Sequence, residues 1–397
     1  MKAKTAIAFT LASSAVFAAP AWQAGDIYQA GETVTIAGLD YRAQWWTQGQ
    51  DPQAHHGPIG GGQPWLVLDP NQPPLACGDV WRSQTAYNGK AVVSRLGRNY
   101  LANWWTRGND PQAAGSREVW RDLGSCNYVS AYTYTLTAPQ VPVVQFDNLT
   151  LGNDYPIEVI LPPDFQPDTG YPVLYVLDWS GLRDFFLAQY QPLRDANRLQ
   201  PFIVVGVGCG QDAFACQVRR ARDFTPSHSA DEDAYFRYVF ELQGAPDAQI
   251  TGSAAAFLSF LKSEVIPRVE RRYLTTPAAR GLHGTSFSAL FAGHVLVNDT
   301  NSFGRYLINS PSLWYQNYAL TAETQTRPAA AFANVQRVFV STGSAEGSPY
   351  VEDTAAFAAL LGTKQLPLGY AVLEGLDHEH AYEQAATAAG LLDSYAR

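Results

Sequence analysis

The sequence predicts a doubly wound α/β domain preceded by two small all-β modules. Three observations lead there. From Val143 onward, short apolar runs (157–161, 173–177, 202–206, 338–340 and 370–373) alternate with helical patterns over 182–190, 254–272, 287–297, 354–361 and 381–395. Runs of that length fit buried strands, and strands alternating with helices build a sheet covered on both faces. Eight of the ten Trp stand before residue 127, so the N-terminal third is a different kind of object. That third also repeats itself: residues 41–54 return as 100–113 with ten of fourteen positions identical at an offset of 59, and Trp22 and Tyr28 recur as Trp81 and Tyr87. Self-similarity at a fixed offset marks a duplicated module.

The chain opens with a basic start, Met1-Lys2-Ala3-Lys4, then an apolar small-residue run from Thr5 to Phe17, then Ala18-Ala19-Pro20-Ala21. This is the pattern of a secretory signal peptide over 1–21, too short to span a bilayer. No later stretch reads as a transmembrane helix, so a secreted protein is expected. The formal charge is −9. An acidic chain poor in lysine argues against nucleic acid and against an anionic membrane as partners. Four cysteines fit export. They allow three connectivities, and we expect Cys77–Cys126 and Cys209–Cys216. With no C-x-x-C, zinc is a poor alternative.

Each repeat is too small for a large core. Alternation such as Thr33-Val34-Thr35-Ile36, broken at Gly38, predicts small twisted antiparallel strands. So many Trp in so small a unit cannot all be interior, and exposed aromatic faces stack on sugar rings. One Trp of each pair, Trp45/Trp46 and Trp104/Trp105, is expected inside, because neighbouring strand residues face opposite sides. The run W-x5-Y, Tyr-x-Ala-x-Trp-Trp-Thr-x-Gly, Pro and a closing Trp (Trp65, Trp120) resembles the chitin- and cellulose-binding modules of bacterial chitinases. The copies span 22–68 and 77–126. The resemblance implies carbohydrate binding through Trp45, Trp46, Trp104 and Trp105 with Tyr28 and Tyr87, and chitin or a related insoluble polysaccharide as partner. The Cys77/Cys126 pair around the second copy also resembles that family. The first copy lacks it and carries a loop over 55–62 whose His55-His56 find no third ligand, which reads as solvated loop rather than metal site. Residues 69–74 read as a stiff linker between modules, and 127–142 as a linker into the α/β domain at 143–397.

Within that domain, Gly284-x-Ser286-x-Ser288 sits between a strand-like lead-in and an Ala-rich helical run. It is one residue short of the nucleophile elbow G-x-S-x-G. A strand running straight into a helix holds Ser286 in a strained turn with its oxygen exposed, and small residues on either side avoid clashes. The helix start also places N–H groups where an oxyanion would develop: Phe287 directly, with Trp179 or Ser180 after an earlier strand as second donor. A nucleophilic Ser needs a base and an orienting acid, in the order Ser, acid, His. Glu346 and His378 follow later strands in that order, with Glu352 and Asp353 as fallback acids. Asp377-His378-x-His380 has metal-ligand residue types, but no other cluster supports it.

The C-terminal two-thirds resembles the esterase family of α/β-hydrolases that includes siderophore esterases, S-formylglutathione hydrolase, feruloyl and acetylxylan esterases and mycolyltransferases. The matching stretches are 171–178, Arg222-Asp-Phe-Thr-Pro226, Ser286-Phe287, 303–306 with Ser310-Pro-Ser-Leu-Trp314, and Gly375-x-Asp-His378. Ser288 and Ala289 depart from the glycines that relatives often carry. The resemblance implies an α/β-hydrolase fold with Ser286, Glu346 and His378 as catalytic residues, acting through an acyl-enzyme on an ester without metal or organic cofactor. Rival expectations are a carbohydrate-binding protein with an inactive hydrolase domain, and an acyltransferase. A glycosidase is disfavoured because no carboxylate pair is identifiable.

Overall fold

The computed structural model describes residues 19–397 except 38, 58–61, 69–74, 129–130, 211, 245–247 and 379. Most of the expected signal peptide, the tip of the 55–62 loop and the linker at 69–74 lie outside the described residues. The chain divides into two compact units, 1–128 and 129–397.

The first unit is all-β. In the first repeat Thr33–Ile36, Leu39–Ala43 and Trp65–Leu68 form a three-stranded antiparallel sheet, with Ile27–Tyr28 paired to Thr47–Gln48. The second repeat reproduces this with Val92–Arg95, Arg98–Ala102 and Trp120–Asn127, and with Ala86–Tyr87 on Thr106–Arg107. Trp65 and Trp120 fill the two cores, against Val34, Tyr41 and Ala43 in one and Val93, Tyr100 and Ala102 in the other. Each indole N–H is satisfied at the equivalent place, Trp65 Nε1 on Gln50 O at 2.7 Å and Trp120 Nε1 on Asn109 O at 2.9 Å.

This corrects the expectation that one member of each Trp pair is interior. Trp104 and Trp105 are 52% and 60% exposed, Trp46 is 55% exposed and Trp45 half-buried. Both pairs fall on bends after the strand ends, where side chains no longer alternate across a sheet. Tyr28, expected on the sugar-facing surface, is a core residue: its ring packs edge-on against Trp65 at 5.3 Å, and its hydroxyl accepts from Gln23 N at 2.6 Å. Tyr87 is half-buried in the same relation to Trp120, at 5.5 Å.

The second unit is built on an eight-stranded sheet, whose strands we number β1 (Ala131–Thr137), β2 (Asp154–Ile160), β3 (Val173–Val176), β4 (Ile203–Val207), β5 (Gly281–Thr285), β6 (Arg305–Asn309), β7 (Arg337–Gly343) and β8 (Leu368–Leu373). Their order is β1-β2-β4-β3-β5-β6-β7-β8. The pairs β1–β2 and β2–β4 are antiparallel and the rest parallel. The Thr/Tyr-rich run read as linker is therefore the edge strand β1, paired with β2 along its whole length. Its polar alternation suits an edge, where one face is wet.

The helices are α1 (Trp179–Asp195), α2 (Ala213–Asp223), α3 (Ala230–Val239), α4 (Ala254–Phe260), α5 (Ile266–Arg272), α6 (Phe287–Asn298), α7 (Ala319–Thr326), α8 (Tyr350–Gly362) and α9 (His380–Tyr395). A π-turn at Leu261–Val265 divides α4 from α5 inside the single helix expected over 254–272. Pro267 just beyond it has no amide proton for the regular ladder. Helix α2 was not anticipated, because charged residues hide its buried face. Arg222, fully buried, donates to Asp223 Oδ1 at 2.7 Å and to the carbonyls of Pro142 and Leu151, while Tyr155 donates to Asp223 Oδ2 at 2.8 Å. These bonds clamp α2 to β2 and fix the residues it presents to the site.

Cys77–Cys126 and Cys209–Cys216 are both joined. The first closes a 49-residue separation around the second repeat. Chain-entropy reasoning assigns such a cross-link about 4 kcal/mol. We expect Cys77→Ala/Cys126→Ala to lower the stability of the isolated 75–128 segment by that order, read from its urea midpoint with and without the bond.

Candidate active site

Strand β5 delivers Ser286 at the point where it turns into α6. Ser286 has φ 63° and ψ −118°, a left-handed conformation that a side chain rarely adopts. The surroundings hold it there. Its N–H donates to Asn309 O at 3.0 Å, and its carbonyl accepts from Leu290 N at 2.9 Å and Ser312 N at 3.3 Å. Gly284 is required, since a Cβ there would stand 2.2 Å from Ser288 O. The Ser286 hydroxyl lies 3.4 Å from that of Ser312, a neighbour the sequence reading did not single out.

Glu346 follows β7 and His378 follows β8, neighbouring parallel strands whose C-terminal loops bond to each other through Ala345 N to Leu376 O at 2.8 Å and Gly375 N to Ser344 Oγ at 2.8 Å. The structure brings the acid and the histidine together: His378 Nδ1 is 2.8 Å from Glu346 Oε2. The carboxylate side chain is 1% exposed and the imidazole 44% exposed. An Nδ1–H donated to the carboxylate leaves Nε2 with its lone pair, the tautomer a general base needs. The other Glu346 oxygen accepts from Gly343 N at 2.8 Å, from Thr342 Oγ1 at 3.3 Å and from Ser310 Oγ. Burial works to raise the Glu346 pKa, but the hydrogen bonds from His378, Ser310 and Gly343 outweigh it and hold the carboxyl below its ordinary value. The fallback acids Glu352 and Asp353 lie in the first turn of α8, and it is Glu346 that contacts His378.

The expected oxyanion donors open helices: Phe287 at the start of α6, Trp179 and Ser180 at the start of α1. Amides in a first helical turn have no intrahelical acceptor. The Trp179 side chain is buried, with Nε1 donating to Glu158 at 2.6 Å. A cavity of about 870 Å³ opens beside Trp179 and Ser180, bounded also by Asp178, Thr285, Gln217, Arg220 and the Cys209–Cys216 disulfide; Ser286, Phe287, Glu346 and His378 do not line it. Asp178 and Arg220 were missed by sequence reasoning. Arg220 Nε donates to Asp178 Oδ1 at 2.7 Å, bringing a cation to the cavity wall. Asp178 could have been noticed from its place directly before the proposed donors; Arg220 could not, because only α2 brings it there. The Phe287 ring meets Phe236 at 5.7 Å and Trp314 at 5.8 Å. Among the described residues no group of three or more His, Cys, Asp or Glu is placed to hold a metal ion.

Below the elbow, His283 on β5 is fully buried, with Nε2 3.3 Å from Asn309 Nδ2, and Asn309 Oδ1 accepts from Ser341 at 3.1 Å. Burial pushes the imidazole down to about 4, so it is neutral in the folded protein.

Residues 149–388 match the Esterase family model, described as "Putative esterase", and residues 21–66 and 80–121 match Carbohydrate-binding module family 5/12. The ferri-bacillibactin esterase of Bacillus subtilis is 26% identical over 198 residues, covering 46% of this chain and 63% of that protein. The siderophore enterobactin esterase of Emericella nidulans is 29% identical over 187 residues, 44% of this chain and 58% of its own length. The chain thus spans less than two thirds of either relative. The crystal structure of the BES protein from Bacillus cereus superposes with a TM-score of 0.55 at 24% identity, covering 68% of this chain and 98% of that one. That likeness establishes the fold.

Two outcomes test the electrostatics of the site. Ser310→Ala removes a donor from the buried Glu346 carboxylate, and we expect it to cost about 1.5–3 kcal/mol, measured by urea denaturation at pH 7. His283 binds a proton in the unfolded chain below about 6.5 but in the native state only below about 4. Stability from this residue is therefore present above 6.5 and is lost as pH falls toward 4. His283→Gln should flatten the fall in urea midpoint between pH 7 and pH 5.

Proposed function

This chain belongs to the esterase family, and from that premise we propose that it is a secreted serine esterase held on chitin or a related polysaccharide by its two N-terminal modules. The observation that carries the chemistry is the His378–Glu346 bond, 2.8 Å long, on loops of the sheet that also presents Ser286 in its strained elbow. Ser286 Oγ attacks the ester carbonyl as His378 Nε2 takes its proton. The carbonyl oxygen becomes an oxyanion facing the amides of Phe287 and of Trp179 or Ser180. Collapse expels the alcohol, protonated by His378, and leaves an acyl-enzyme. Water activated by the same imidazole then releases the acid and restores Ser286. Glu346 orients His378 and balances its transient charge.

The relatives named as siderophore esterases make siderophore esters one arm of a substrate panel. The carbohydrate-binding modules make acetylated or feruloylated polysaccharide the other. Two disulfides and two carbohydrate-binding modules support an extracellular setting, and among the described residues no helix is long and apolar enough to cross a membrane. The exposed Trp46, Trp104 and Trp105 support stacking on sugar rings as the binding mode. The bond from an accessible imidazole to the buried Glu346 carboxylate favours an active hydrolase domain over an inactive one.

Turnover of p-nitrophenyl acetate and of the panel esters should fall by roughly 10⁴-fold or more in Ser286→Ala and in His378→Ala; near-normal turnover in Ser286→Ala removes the assignment. Acyl transfer to an added alcohol that outpaces hydrolysis would identify an acyltransferase instead. Retention on insoluble chitin should drop in Trp104→Ala/Trp105→Ala, drop further when Trp46→Ala is added, and survive high salt. Hydrolysis of the small ester should be the same in all of these variants. Equal retention of wild type and the triple variant would exclude these aromatics as the anchor.

A further inference from the structure

Ser288 occupies a position where glycine is expected, and it is fully buried. Its hydroxyl oxygen accepts from Thr285 N at 2.8 Å and stands 2.7 Å from Asp178 Oδ2 and 2.9 Å from Thr285 O. A hydroxyl has one proton to give, and the shorter contact, to a carboxylate, is the charge-assisted one. We infer that Ser288 is a positioning residue for ester hydrolysis: through Asp178 it ties the nucleophile elbow to the loop carrying the second oxyanion donor. The inference rests on the serine-esterase reading above.

The two donor groups belong to different elements, Phe287 at the start of α6 and Trp179 or Ser180 at the start of α1. Both must point at one oxygen, within about 2.7–3.1 Å of it. Ser288 is the residue after Phe287, and Asp178 the residue before Trp179. Their hydrogen bond joins segments 110 residues apart in sequence, one residue from each donor. Asp178 is itself held on every side. Its backbone is left-handed at φ 56°, its carbonyl accepts the amides of Gly181 and Leu182 at 2.9 Å each, and its other carboxylate oxygen accepts from Arg220. The Arg220 cation also offsets the negative charge that Asp178 brings close to a forming oxyanion. Without the Ser288 hydroxyl, the elbow and the donor loop are joined beneath the site by the pairing of β3 with β5 and by Leu177 N donating to His283 O at 3.1 Å, short of both donors.

The test uses the full chain as wild type, Ser286→Ala, Ser288→Ala and Ser288→Gly. It measures kcat and KM on p-nitrophenyl acetate, inhibition by a phenylboronic acid that forms a tetrahedral adduct, and melting temperature. We expect both Ser288 variants to lose about tenfold or more in kcat, a fraction of the effect of deleting a donor outright. KM should stay within about twofold, and the boronate inhibition constant should rise by a factor similar to the loss in kcat. A merely structural role would lower the melting temperature and leave kcat per folded molecule and boronate affinity unchanged; that result overturns the inference. Ser288→Gly carries the test if Ser288→Ala does not fold, since it places no Cβ in the buried elbow. An inert wild type, or an active Ser286→Ala, overturns the serine-esterase reading and this inference with it. An active wild type, a dead Ser286→Ala and an undiminished Ser288→Gly overturn this inference alone.

Discussion

The left-handed backbone of Ser286 is the constraint to which the α/β domain is fitted. A non-glycine residue in such a conformation costs about 1–3 kcal/mol and persists only where its neighbours leave no alternative. Here they leave none. Gly284 lacks the Cβ that would collide with the backbone of Ser288, Asn309 O holds the Ser286 amide, and Leu290 and Ser312 hold its carbonyl. Asn309 is in turn fixed by His283 and Ser341, so three adjacent strands, β5, β6 and β7, meet in one polar cluster under Ser286.

The same segment that supports Ser286 supports Glu346. After Asn309 the chain turns through Ser310, itself left-handed at φ 41°, which bonds Glu346, and reaches Ser312 beside Ser286. Glu346 can thus be buried without its partner being buried. Four donors from His378, Ser310, Thr342 and Gly343 satisfy the carboxylate, and His378 keeps nearly half of its side-chain surface open to solvent. A buried carboxylate with fewer donors would take up a proton rather than pay the desolvation cost, and the imidazole would lose its orienting charge.

The N-terminal repeats solve a different problem, which is how to keep large aromatic faces in water on a very small fold. One closing Trp in each repeat, with a tyrosine edge-on against it, supplies the core. The Trp pairs are then free to lie on bends at the surface. The second repeat adds a disulfide across its ends, and it is there that both members of the pair are more than half exposed.

By itself the sequence determined most of the buried strands and helices of the α/β domain, the duplicated modules and the chain order of Ser286, Glu346 and His378, while its four cysteines left three connectivities open. These follow from local information: periodicity, the strained-turn residues of the elbow, and composition that changes abruptly near residue 127. Tertiary structure alone decided what depends on contacts distant in sequence. The run at 131–137 looked like a linker because its residues are polar, and it is a strand because β2 offers it an unpaired edge. Helix α2 escaped periodicity because its buried face carries Arg219, Arg222 and Asp223, acceptable inside only through partners on β2 and the preceding loop. Tyr28 and Trp105 are both aromatic residues in one kind of repeat. Which lies inside and which outside is set by where Trp65 and Trp120 close the cores, and no local pattern records that. Ser288 read as a flaw in the elbow motif; the approach of Asp178, from 110 residues earlier, gives its hydroxyl a carboxylate partner.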